Sequence, residues 1–170
     1  MVAGMRAAGV LFLCVVSLLA QRAKQDPRWA PLAFLIGDWV GEGGGGPGQG
    51  TGEFSFHLDL GGAILIRKNV SHYPATKDKP AYSHTDLMIV DSTMHASYFD
   101  DEGHTIHYVV EPSEDGKSVR FVSDAVAAQP RYRLTYRKTG DDQLAIRFEI
   151  APPGRDFATY IDATARQRKR

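Results

Sequence analysis

Cysteine is almost absent: the 170 residues contain one, Cys14, and it falls inside an apolar N-terminal run. Beyond that run, disulfide frameworks and thiol catalysis are excluded in any compartment. An excess of charge of one sign is missing too, with 20 basic against 20 acidic side chains. No global field therefore draws the chain to nucleic acid or to anionic lipid. Beyond Val10–Ala20 there is no long apolar run, and that one is shorter than the ~20 residues a membrane helix needs. Nothing after Ile36 keeps a helical period. The glycine-rich segment Gly43–Gly50 lacks the Gly-Lys-Ser/Thr ending and the following helix of a phosphate-cradling loop.

What is present at the N-terminus is Arg6 followed by the apolar run. This pattern predicts a secretory signal peptide over residues 1–20, cut near Ala20, with an uncleaved anchor as the alternative. The expected location is then periplasmic or extracellular, with no stable membrane insertion once the leader is gone. Residues 21–28 read as a polar lead-in, 29–166 as one domain and 167–170 as a solvated basic tail. About 150 residues suffice for a single domain with a real core.

Along that domain, Trp29–Ile36 predicts one or two helical turns stopped by Gly37. Ten short alternating segments follow, from Asp38–Gly43 to Phe157–Arg166, separated by turn residues such as Leu60-Gly61-Gly62, Asp101-Glu102-Gly103 and Glu114-Asp115-Gly116. The expected fold is all-β, an antiparallel up-and-down barrel of about ten strands with a short N-terminal helix.

The most distinctive stretch is Gly37-Asp38-Trp39-Val40-Gly41-Glu42-Gly43. Its alternate glycines bare one face of a strand, so that a large group can lie against it or the chain can bend. Gly37, Trp39, Gly41 and Gly43 resemble the Gly-x-Trp-x-Gly-x-Gly motif of the nitrobindins and, more broadly, the Gly-x-Trp entrance of lipocalin-like barrels. That resemblance implies a closed barrel with Trp39 at its plugged end, packed under Arg166 of the last strand. In the nitrobindins it also implies haem held by a histidine near the C-terminus and chemistry on peroxynitrite. Here the last strand holds no histidine and His107 is the final one in the chain. Only Tyr160 is left as a haem ligand, so the resemblance carries the barrel and not the site.

No metal-ligand pattern stands out. His104 and His107 are three apart on a strand and face opposite sides. If Asp91-Ser92 is a two-residue hairpin, Asp86, Ser97 and His107 align across three strands. Ser97 sits in a plain strand without a strained elbow or an oxyanion hole, so no catalytic set is assigned and that face is expected to meet solvent. The opposite face, with Thr85, Leu87, Ile89, Met94, Tyr98, Ile106 and Tyr108, is expected to line the interior. Apolar walls with a few hydroxyls suit a small hydrophobic or amphipathic ligand, unless side chains fill the barrel. Three functions follow: a carrier for such a molecule, a haem protein as the resemblance implies, or a secreted scaffold without ligand. Asn69-Val70-Ser71 also satisfies the glycosylation sequon.

Overall fold

In the computed structural model, residues 27–42 and 50–169 are described. The leader, the lead-in as far as residue 26, Gly43 and most of the glycine-rich connection lie outside them. A 3-10 helix, Pro27–Leu35, precedes ten strands: β1 Gly37–Glu42, β2 Thr51–Asp59, β3 Ile64–Tyr73, β4 Tyr82–Asp91, β5 His95–Asp100, β6 Thr105–Pro112, β7 Ser118–Ser123, β8 Arg131–Gly140, β9 Gln143–Ala151 and β10 Ala158–Gln167. Each strand pairs antiparallel with the next, and β1 pairs with β10, closing the barrel. The all-β up-and-down ring expected from the alternation is the observed fold.

Turn chemistry sets where each strand stops. Gly103 (φ 88°) and Gly116 (φ 65°) take left-handed conformations that a Cβ would disfavour. The β4–β5 connection is longer than two residues. There the Asp91 carboxylate accepts hydrogen bonds from Thr93 N (2.8 Å), Thr93 Oγ1 (2.7 Å) and His95 N (3.2 Å), while Met94 adopts φ 62°. Val90 consequently pairs with Ala96 and Asp86 with Asp100. An odd change of register turns a strand over. The inner face of β4 is His84, Asp86, Met88 and Val90, while Thr85, Leu87 and Ile89 lie on the other face.

One end of the barrel is solid. The 3-10 helix lays Trp29, Leu32 and Leu35 into it, all buried. Two indoles pin this plug: Trp29 Nε1 donates to Gly62 O and Trp39 Nε1 to Leu35 O, each at 2.8 Å. Beneath it Trp39 stacks on Phe54, with centroids 6.2 Å apart, and Phe56 meets Tyr136 edge-on at 5.4 Å. Leu65, Met88, Val90, Val119, Phe121 and Leu144 complete the core.

Arg166 is not part of that stack. It pairs with Val40 on the outer face, while Trp39 pairs with Gln167. The Arg166 guanidinium donates instead to Glu42 (Nε–Oε1 2.6 Å). The basic tail begins later than the charge pattern suggests. Gln167 belongs to β10, and Arg168 N donates to Asp38 O (2.8 Å) while its side chain pairs with Glu53.

Candidate functional site: a two-sided cavity at the open end

Above the plug the barrel is hollow. A cavity of about 390 Å3 opens at the end opposite the helix, within the range of small-molecule pockets. Space is available because Gly41 and Gly52 face each other across β1 and β2 and bring no side chain to the wall. Phe54, Tyr108 and Leu134 form part of the wall above the core.

The wall has two chemically different halves. On β8, β9 and β10 it is apolar: Tyr132, Leu134, Ile146, Phe148, Ile161 and Ala163. Tyr132 and Phe148 are parallel, with centroids 6.0 Å apart. On β3, β4 and β5 it is polar: Arg67, Asn69, His84, Asp86, Tyr98 and Asp100. In the strand order these triplets stand diametrically opposite, β3 across from β8, β4 from β9 and β5 from β10.

The polar half is one connected network. Arg67 and Asp86 form an ion pair whose side chains are 9% and 4% exposed. Asn69 Nδ2 donates to the other Asp86 oxygen at 2.9 Å. His84 Nε2 lies 3.1 Å from the Tyr98 hydroxyl and 3.5 Å from Asp86 Oδ2. Tyr98 in turn donates to Asp100 Oδ2 (3.3 Å), which also meets His104 Nδ1 at 2.9 Å. The guanidinium of Arg67 lies over the Phe54 ring, 5.7 Å from its centroid. Its Nε has no partner among the described residues.

Electrostatics follow from this packing. Hydrogen bonding to Asp86 raises the His84 imidazole above its ordinary value, against the opposing effect of burial. Burial pushes the Tyr98 and Tyr108 hydroxyls up, so both remain neutral donors. Burial lowers Arg67, but Asp86 and nearby tyrosines outweigh it and the guanidinium stays charged.

Of the residues expected inside, Tyr98, Ile106 and Tyr108 line the cavity. Thr85, Leu87 and Ile89 do not, because β4 is turned over by its connection to β5. Met94 sits in that connection at the plugged end and packs on the core. Ser97 and His107 do pair across β5 and β6, with Oγ 3.2 Å from Nδ1. Asp86 faces the cavity instead, so the three-residue alignment is broken. The sequon is inaccessible: Asn69 is buried in the polar network, its amide donating to Asp86, and is no glycan acceptor in the folded chain.

The residues do not fit haem. Tyr160 sits beside the β10 bulge, 58% exposed, with its ring edge-on to Phe148 at 6.3 Å. Among the described residues no hydrogen bond or ion pair reaches its oxygen, so nothing holds the phenolate that would bind iron. The cavity histidines, His84 and His104, turn ring nitrogens onto carboxylates.

Set against known proteins, the chain matches no protein-family model and no curated protein. It superposes on the crystal structure of Rv2717c from M. tuberculosis with a TM-score of 0.63 and 18% identity, over 85% of this chain and 99% of that one. The likeness is one of fold. Treponema pallidum Tp0751 (pallilysin) aligns over 95% of this chain and 99% of its own, with 12% identity and a TM-score of 0.37.

Sequence reasoning missed Arg67, Asn69, His84 and Asp86 as a set. The signal was in β3, where Leu65, Arg67, Asn69 and Ser71 alternate with Ile64, Ile66 and Val70. Reading the apolar row as the inner one inverts the strand.

Proposed function

We propose that the barrel binds a small amphipathic molecule in its interior. The apolar body lies against Leu134, Ile146, Phe148 and Ile161, and a hydrogen-bonding group faces the Arg67–Asp86–His84 side. The observation that carries this reading is the opposition of the two half-walls around one open cavity. Buried polar groups cost stability unless they are satisfied. A barrel that only needed to fold would place apolar residues on the inner face of β3 and β4, as it does on β8 and β9. The apolar run of residues 10–20 supports export as the setting for such a carrier.

An uncharged environment-sensitive fluorescent probe tests the reading, with native mass spectrometry of the purified protein searching for retained cargo. The wild-type chain is expected to bind the probe. Ala163→Trp, which fills the apolar half, should weaken binding on the order of tenfold or more while leaving the circular dichroism spectrum intact. No probe binding and no retained molecule would reject the carrier and leave the scaffold reading. Haemin added to the same sample should leave its absorption band unshifted, because nothing among the described residues holds Tyr160 as a phenolate and the ring nitrogens of His84 are closed in by carboxylates.

A further inference from the structure

We propose that His84, Asp101 and Glu102 form a binding site for a divalent transition-metal ion, of the zinc or cobalt class, at the mouth of the barrel. His84 Nδ1 lies 3.5 Å from Asp101 Oδ1 and 3.5 Å from Glu102 Oε1. An ion about 2.1 Å from each donor needs donors about 3.4 Å apart in a tetrahedral arrangement. The site joins β4 to the β5–β6 turn, so the linear spacing of histidines hides it.

Hydrogen bonds on the far side of the ring orient His84 toward the two acids. Asp86 is acceptor-only, and Tyr98 spends its hydrogen on Asp100 (3.3 Å). His84 Nε2 therefore carries a proton and donates toward Tyr98 and Asp86. That turns the Nδ1 side of the ring toward Asp101 Oδ1 and Glu102 Oε1. The backing of a ligating imidazole by a buried carboxylate is what orients histidine in metal sites.

Each acid turns one oxygen to His84, while the other oxygen of Glu102 lies 3.9 Å from His104 Nδ1. Asp101 is anchored through its other oxygen, Oδ2, which accepts from Thr85 N at 3.0 Å. Glu102 extends from a turn held by Asp100, whose Oδ1 accepts from Glu102 N at 3.1 Å. Both acids are half exposed, so entry is open. The remaining coordination positions would be open to solvent or to a donor atom of a molecule entering the cavity.

The site stands whether or not the cavity holds an organic ligand, because its test uses the metal alone. Untagged full-length chain is titrated calorimetrically with zinc, and with cobalt while the visible absorption is followed. One equivalent should bind, with net proton release where His84 starts out protonated. His84→Gln should weaken binding on the order of tenfold or more, and Glu102→Gln, which leaves the Asp101 anchor in place, should weaken it similarly. His107→Gln, on the outer face, should change nothing. Absence of binding at millimolar metal, or affinities that His84→Gln and Glu102→Gln leave unchanged, overturns the proposal. In the latter case His84 is held as an imidazolium between the two acids.

Discussion

Asp86→Leu should be among the most damaging single changes in the barrel. The substitution leaves the Arg67 guanidinium, 8% exposed as a residue, without its carboxylate, facing the Phe54 ring at 5.7 Å and the neutral hydroxyls of Tyr98 and Tyr136. Its Nε is already without a hydrogen-bond partner among the described residues. Breaking a buried pair from one side costs about 3–5 kcal/mol, which lowers the folding equilibrium by roughly a hundredfold to several thousandfold. Replacing both partners, Arg67→Met with Asp86→Leu, removes the stranded charge. Asn69 then loses its 2.9 Å contact but keeps Ser71 Oγ at 3.3 Å, a cost of about 1 kcal/mol. The double variant should thus lie within about 1–2 kcal/mol of wild type. Urea unfolding with a common slope gives the four free energies, and the cycle isolates the coupling. A single-variant cost below about 1 kcal/mol, or a double variant equal to the sum of the singles, would refute the reasoning.

Two further outcomes follow from close contacts elsewhere. A Cβ on Gly52 would sit 2.3 Å from Val70 O and 2.9 Å from Ser71 Cα, both backbone atoms. Gly52→Ala should force β2 from β3 and cost about 1–3 kcal/mol or more, whereas Gly41→Ala, with its nearest atom at 3.5 Å, should melt close to wild type. Equal melting temperatures for the two variants would contradict the geometry. On the outer face, Arg133 grips Glu149 through two bonds of 2.6 and 2.8 Å. This contact outweighs burial and holds the Glu149 carboxyl below its usual range. A depressed folded value means that the stabilisation is complete above the unfolded value of about 4.3 and is lost as pH falls through the folded one. The stability gap between wild type and Glu149→Gln should therefore narrow on acidification, and a gap constant with pH in thermal melts would count against the pair.

The fold was legible because alternation and turn residues are local signals. Ten strands, their order and the helical plug all follow from them. The interior was harder to read, and the reason lies in one connection. Asp91 gathers the backbone of Thr93 and His95 into a longer bend than a two-residue hairpin, and this odd change turns β4 over. Tyr98, Ile106 and Tyr108 escape the error because β5 and β6 keep the Ser97–His107 pairing that the Gly103 turn implies. β3 was assigned no inner face from the sequence, for a different reason. Its apolar row faces outward in part, while Arg67 and Asn69 point in, against the usual rule of burial. Local rules tend to fail in this way where a site has been built.

The pairing of β1 with β10 has a bearing on how the chain comes to be folded. Nine of the ten ladders join strands adjacent in sequence, and these can form as hairpins while the chain emerges. The tenth ties Trp39 to Gln167 and Glu42 to Thr164. This seam must wait until β10 has been made, and contacts of such long range form slowly. Until then β1 and the growing end both present unpaired edges, the surfaces by which strands of separate molecules associate. A chain ending before β10 would keep those edges permanently. The final ten-residue strand thus governs both whether the container closes and whether nascent copies stay apart.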